Sequence, residues 1–320
     1  MKLLTAEVGR VLSRRGVLVL LLVGFGLAVL LAAAAAYDTR PLSGTEIDAA
    51  QEAVSQDAAA YDEERARCLT DPVAVLGEGA TAEGCDRLRP TLDQYLVRTP
   101  LDLTAEVDDR GTVLMALLAG VGLLVGATFG GADWANRSIG TQLLFESRRV
   151  RLWLTKALAV TLVTTVAAAL VAALFWGGLS VVALARELGV DTEAWGPVLA
   201  MTGRGLALVA GATLGAFALT MVLHSTVATL GALFGYTLVV EALAASLPVA
   251  RMTQWTVPHN VLAWVKDGVD INDPSICSGE PIGCTPWYTL GAGHAAAYLT
   301  VLLAVAVVVS IAVFRRRDVA

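Results

Sequence analysis

Few residues in this chain of 320 have the types and spacing that chemistry demands. A phosphate-cradling loop, G-x-x-x-x-G-K-[ST], needs a lysine directly after a glycine, and none of Lys2, Lys156 and Lys266 follows one. Neither a zinc-binding H-E-x-x-H nor a G-x-S-x-G nucleophile elbow occurs. His224, His259 and His294 stand far apart, which argues against a metal cluster. Cys68 with Cys85, and Cys277 with Cys284, suit either two disulfides in an oxidising compartment or a zinc site. The lack of C-x-x-C pairs and of an adjoining histidine favours disulfides. Arg204 and Glu241 complete the candidates, because ionisable residues in apolar stretches are expensive. Arg204 snorkels to the headgroups or pairs with Glu241, or else Glu241 lines a polar vestibule for substrate or protons. Catalysis within the chain is not expected, and no cofactor or metal is assigned to it.

The elements that must position these residues follow from composition. Hydrophobic residues make up 56% of the chain and charged ones 16%, against roughly 25% charged in a soluble domain. The net charge of −6 argues against a nucleic-acid partner, which calls for a basic face. The charges fall between long uncharged runs, and about 20 apolar residues suffice to cross the hydrocarbon as a helix. The run beginning at Gly205 is too long for one span, so it is read as two helices turning at His224-Ser225-Thr226. The expected architecture is an all-α polytopic membrane protein with six transmembrane helices, at 16–36, 111–132, 157–185, 204–223, 227–247 and 287–314. Lys2, Arg10, Arg14, Arg15, Arg137, Arg148, Arg149, Arg151, Lys156 and Arg315-Arg316-Arg317 then share one side, which the positive-inside rule makes cytoplasmic. Both termini lie on that side, with an interfacial helix at 1–15, a loop at 133–156, a turn at 224–226 and a tail at 315–320. External loops occupy 37–110, 186–203 and 248–286, and all four cysteines fall in the first and last of these.

Finer features follow from periodicity. In residues 1–15, Leu3, Leu4, Val8, Val11 and Leu12 share one face with the charges elsewhere, as in a helix lying on a bilayer. The basic start followed by Ala34-Ala35-Ala36 imitates a signal peptide, but an apolar run of about 20 residues exceeds the usual ~7–15. Ile47, Val54, Ala58 and Tyr61 predict an amphipathic helix ending near Cys68. Pro248 stops the fifth span, and in 248–286 two short apolar helices with Trp255 and Trp264 predict an interfacial lid. Glycines recur at four-residue spacing at 122, 126 and 130, at 211 and 215, and at 231 and 235, as helix-packing seams do, within the chain or between two copies.

The most specific stretch is the inner loop. It runs Gly126-Ala127-Thr128-Phe129-Gly130-Gly131-Ala132-Asp133-Trp134, then Gly140-Thr141-Gln142-Leu143-Leu144-Phe145-Glu146-Ser147-Arg148-Arg149-Val150-Arg151, then Lys156. Its pattern predicts a short helix that starts after an acid and ends in a basic cluster, as the helix dipole prefers. The stretch resembles the permease subunit of ABC exporters of the type-2 permease family. The likeness is to actinobacterial-style members with Gly-Ala…Glu-Trp, then Gly-Thr…Leu-Leu…Glu-Pro-Arg-Arg-x-Arg…Lys. Asp133 stands where that family has Glu, and Ser147 replaces its Pro. The run from Ser225 to Glu241 is similar to the family's fifth span, with Glu241 at its acidic position. The resemblance implies that Asp133, Trp134, Gly140, Thr141, Leu143, Leu144, Arg148, Arg149 and Arg151 couple to a separate ATPase. It implies two ATPase copies carrying the ATP and Mg, a second permease chain as a homodimer partner, and a place in the bacterial cell membrane. A secondary transporter, or a receptor or anchor with a ligand-sensing external loop, is the alternative reading; the first calls for internal repeats that the chain does not display.

Overall fold

Uncharged runs rich in Leu, Val and Ala fold as helices because no water competes for their backbone groups in a bilayer. Among the described residues of the computed structural model, six helices are long and apolar enough to cross a membrane, so the chain is a multi-pass membrane protein. The structure describes residues 2–77, 81–86, 89–96, 98–146, 148–189, 192–247, 249–277 and 284–316. Ser147, Pro248 and Arg317, with the rest of the expected tail to 320, lie outside the described residues. Two units are distinguished, Ala34–Leu101 and a second made of Met1–Ala33 with Asp102–Ala320.

The larger unit starts with α1 (Lys2–Ser13) and most of α2 (Arg15–Asp38), the first span, whose last residues from Ala34 belong to the smaller unit. In the smaller unit, α3 (Gly44–Thr70) is followed by the short helices α4 (Pro72–Leu76), α5 (Ala82–Cys85) and α6 (Leu92–Tyr95). A single turn, α7 (Leu103–Glu106), leads through a π-helical turn at Val107–Gly111 into α8 (Thr112–Ala135), the second span. The loop after α8 carries α9 (Ser138–Phe145), and then come the third to fifth spans: α10 (Arg149–Ala185), α11 (Trp195–Leu223) and α12 (Thr226–Ser246). After α12 lie a 3-10 turn at Met252–Trp255 and α13 (Val257–Lys266). Strands β1 (Val269–Asn272) and β2 (Trp287–Leu290) pair antiparallel, and α14 (Ala292–Arg316) is the last span.

Three spans start five or more residues from the positions expected from sequence. The third span starts at Arg149 rather than 157, because the helix carries Lys156 inward to two carboxylates instead of ending before it. The fourth starts at Trp195 rather than 204, which places Arg204 inside a helix. The last starts at Ala292 rather than 287: Trp287–Leu290 is extended and registers Ile271 opposite Tyr288 and Val269 opposite Leu290. Its apolar face packs with Ala263 and Ala295, so the lid over this end contains a hairpin as well as the two short helices. The turn at His224–Thr226 is as expected: His224 closes α11 in a left-handed conformation, and the Ser225 side chain caps α12 by accepting from the Ala228 N–H at 3.2 Å.

The seams are unequal. Gly122, Gly126 and Gly130 face α11 so closely that a Cβ on Gly126 would run into the Thr213 carbonyl, which fixes α8 and α11 as the tightest pair. Gly211 and Gly215 meet Leu303 of α14 at 3.7 and 3.5 Å, ordinary contact. A Cβ on Gly231 or Gly235 would meet nothing within 4 Å outside its own helix backbone among the described residues, and Phe234, Leu238 and Val239 beside them are exposed. The core of this unit gathers Val125, Phe129, Ile139, Trp153, Phe217 and Phe314 toward the end that bears the arginines.

In the smaller unit, Ser43 and Glu46 cap α3 reciprocally, and Ala50, Tyr61 and Cys68 form its buried stripe. Cys68 is bonded to Cys85, and in the larger unit Cys277 is bonded to Cys284. Both are disulfides, not zinc ligands.

Candidate functional site

α1 is amphipathic, but its buried stripe is not purely apolar. Glu7 lies on it between Leu3 and Val11, while Leu12, expected on that face, is exposed. A buried carboxylate needs a partner. Lys156, one helical turn into α10 beyond Leu152 and Trp153, provides it: its Nζ lies 3.1 Å from Glu7 Oε2 and 2.6 Å from Asp133 Oδ2. Asp133 comes from the last turn of α8, and its other oxygen pairs with the Arg14 guanidinium. The side chains of Glu7, Asp133 and Lys156 are each 1% exposed.

The remaining contacts complete the cluster. Arg14 also donates to the Phe129 carbonyl at 2.9 Å and sits over the Phe129 ring at 4.7 Å, with Lys156 Nζ 5.4 Å from the same ring. Ser138, first residue of α9, donates to Asp133 Oδ1 at 3.1 Å. Arg10 pairs with Glu7 from the more exposed edge. Two acids thus meet three bases from α1, the Arg14 link after it, α8 and α10. Each carboxylate is held by two cations, so fixed charge joins α1, α8 and α10, the Ser138 hydrogen bond adds α9, and the cluster offers no nucleophile. Among the described residues, no group of three or more His, Cys, Asp or Glu is placed to hold a metal ion.

The expected coupling residues divide around this cluster. Asp133 is inside it. Trp134 stands beside it with its ring edge-on to His224, centroids 3.9 Å apart, which ties the end of α8 to the α11–α12 turn. Leu143 packs against the core. Thr141 and Leu144 point away, Leu144 being 84% exposed, and Gly140 has open space where a side chain would be. Arg148 and Arg151 are exposed and Arg149 half-buried, and Arg151 pairs with Glu146 at 3.3 Å. Sequence reasoning missed Glu7, Arg14, Lys156 and Ser138 as a set. The available signals were a glutamate inside an apolar stripe and one of only three lysines set between tryptophan and alanine in a helix.

Arg204 and Glu241 are not brought together. Arg204 pairs with Asp267 at 3.0 Å and donates from Nε to the Val265 carbonyl at 3.2 Å, while the Trp264 indole donates to the Arg204 carbonyl at 2.9 Å. α13 and its following turn, not α12, therefore hold this arginine. Glu241 Oε1 is buried without a hydrogen-bond partner among the described residues. No family model, no curated protein and no solved structure matches this chain.

Proposed function

We propose that the chain is the transmembrane permease subunit of an ATP-driven exporter, coupled through residues 133–156 to separate ATPase subunits that carry the ATP and Mg. The observation that carries this reading is the mounting of α9. Its first residue is tied to the buried ion cluster, while its tip offers Thr141 and a Leu144 that is 84% exposed. A partner pressing on that tip moves a root shared by α1, α8 and α10, so a coupling free energy has a mechanical route to the spans. The chain itself supplies geometry, and hydrolysis belongs to the partner.

On this reading both termini are cytoplasmic and the protein sits in a bacterial cell membrane, with the acidic unit around α3 outside. Two permease chains form the path as a homodimer, and the open glycines 231 and 235 of α12 suit a close helix contact. Glu241, with an unpartnered buried oxygen, is the residue assigned to the path.

The test is reconstitution with a lone ATPase-domain protein encoded beside this chain. Replacing Gly140 and Thr141, or reversing the charge of Arg148 and Arg149, is expected to abolish transport-linked ATP turnover while the permease keeps its melting behaviour. Unchanged stimulation of the ATPase overturns the reading of this loop, and normal export by Glu241→Gln and Glu241→Ala removes Glu241 from the path. A second reading, a receptor whose external segment senses a ligand, draws on the separate compactness of Ala34–Leu101. Co-purification of an ATPase subunit discriminates between the two.

A further inference from the structure

The outer surface of α10 at its arginine-bearing end is not smooth. Arg148, Val150, Arg151, Leu154, Thr155 and Leu158 line a groove of about 410 Å³. Its floor runs along the helix from Leu154 to Leu158, which are 51% and 54% exposed and so face the surroundings of the bundle rather than its core. At its mouth stand Arg148 and Arg151, whose aliphatic stems continue the apolar wall while their heads remain in contact with water. Glu146 is the acid that faces this mouth and it pairs with Arg151; among the described residues no carboxylate pairs with the Arg148 guanidinium. Arg149 adds a third positive charge in the same turn. The groove is therefore cationic at one end and hydrocarbon at the other, with the change occurring within the first turns of α10, the third span.

We propose that this groove is a binding site for an anionic phospholipid, with the phosphate at Arg148 and Arg151 and an acyl chain along Leu154 and Leu158. Charge complementarity selects an anionic over a zwitterionic headgroup, since each Lys or Arg at the surface favours anionic lipid by an amount that makes two of them an effect of about 30-fold. The apolar floor selects a lipid over a free phosphate. The bound molecule bridges the loop after α9 to the start of α10, and the site stands whether or not an ATPase docks on α9.

The experiment uses the full chain purified in a neutral detergent, without an ATPase, and counts retained lipid by native mass spectrometry. Dioleoyl-phosphatidylglycerol and dioleoyl-phosphatidylcholine are titrated in parallel, with glycerol 1-phosphate as a headgroup lacking acyl chains. Wild type is expected to retain one phosphatidylglycerol with about 30-fold preference over phosphatidylcholine, and glycerol 1-phosphate at equal concentration is expected not to displace it. Arg148→Gln with Arg151→Gln is expected to remove the preference. Arg315→Gln with Arg316→Gln, which changes the net charge equally, is expected to keep it. Thr155→Trp fills the groove and leaves every charge in place, so it decides the matter if the double arginine variant fails to fold; it is expected to lose the retained lipid. Three outcomes each overturn the proposal: equal retention by the Arg148/Arg151 variant and wild type, equal loss in the Arg315/Arg316 variant, or displacement by glycerol 1-phosphate. None of them bears on ATPase stimulation, so the exporter reading fails or survives separately.

Discussion

Two ion pairs in the same larger unit are built in opposite ways. Lys156 with Glu7 and Asp133 is shut away from water, each side chain 1% exposed, whereas Arg204 pairs with an Asp267 that is 67% exposed. Removing one member of a buried set leaves a charge with nowhere to go, while an exposed carboxylate simply rehydrates. The lesson is about placement rather than number. The buried set knots α1 to two spans and to α9, whereas Arg204 adds to its exposed partner two neutral contacts, the Val265 carbonyl at its side chain and the Trp264 indole at its own carbonyl.

That contrast predicts an order of effects. Lys156→Met is the most damaging change, expected to cost about 3–5 kcal/mol in denaturant unfolding of the micellar protein, because Glu7 and Asp133 lose their shared cation. Converting Glu7, Asp133 and Lys156 together to Met, Leu and Met is expected to recover most of that loss, since an apolar replacement of a whole buried set is tolerated. If the triple variant is as unstable as the single one, the cluster stabilises by something other than mutual charge compensation. Asp267→Asn comes next, with a loss of about 0–1 kcal/mol by the same measurement. A loss comparable to that of Lys156→Met would erase the distinction between the two pairs. Glu241→Gln is expected to leave the unfolding midpoint within about 1 kcal/mol of wild type, because no hydrogen bond to Oε1 is lost.

The smaller unit supplies the gentlest case. Glu46, hydrogen-bonded by the Ser43 backbone N–H and side chain and then by Arg98, has its carboxyl lowered from 4.5 to about 2. A folded value below the unfolded one means that its contribution is complete above about pH 4.5 and disappears as the pH falls through about 2. Carboxylate carbon shifts recorded on the full chain are expected to show Glu46 still ionised at pH 3, and a midpoint near 4.5 would dissolve this cap.

What was legible in the sequence was whatever hydropathy and local spacing govern. The long uncharged runs became spans, the one from Gly205 divided into two by the His224–Thr226 turn where polar residues interrupt an apolar stretch, and the cysteines paired within their own segments. The Trp287–Leu290 strand was hidden because its aromatic and β-branched residues adjoin the last span, and hydropathy alone does not separate extended from helical backbone. Pro286 before it and Gly291 after it are the punctuation that marks it off. The ion cluster was hidden for another reason. Glu7, Asp133 and Lys156 are far apart in sequence, and only the packing of α10 against both α1 and α8 brings them together. Charge counting assigned Lys156 and Asp133 to the water-facing loop because burial of a charge follows from its partners, which a linear reading does not see.

The short reach of the two disulfides, 17 and 7 residues along the chain, has a consequence in time. Each pair is synthesised together, and roughly 190 residues separate the second cysteine of the first bond from the first cysteine of the next. At roughly 5–20 residues per second the ribosome takes about 10–40 s over that interval. Thiol oxidation runs on a scale of seconds upward when an oxidant and isomerase are at hand, so Cys68–Cys85 is able to close before any competing thiol emerges. Correct pairing is then a matter of schedule, set by the order of translation, and requires none of the six spans to have found its neighbours.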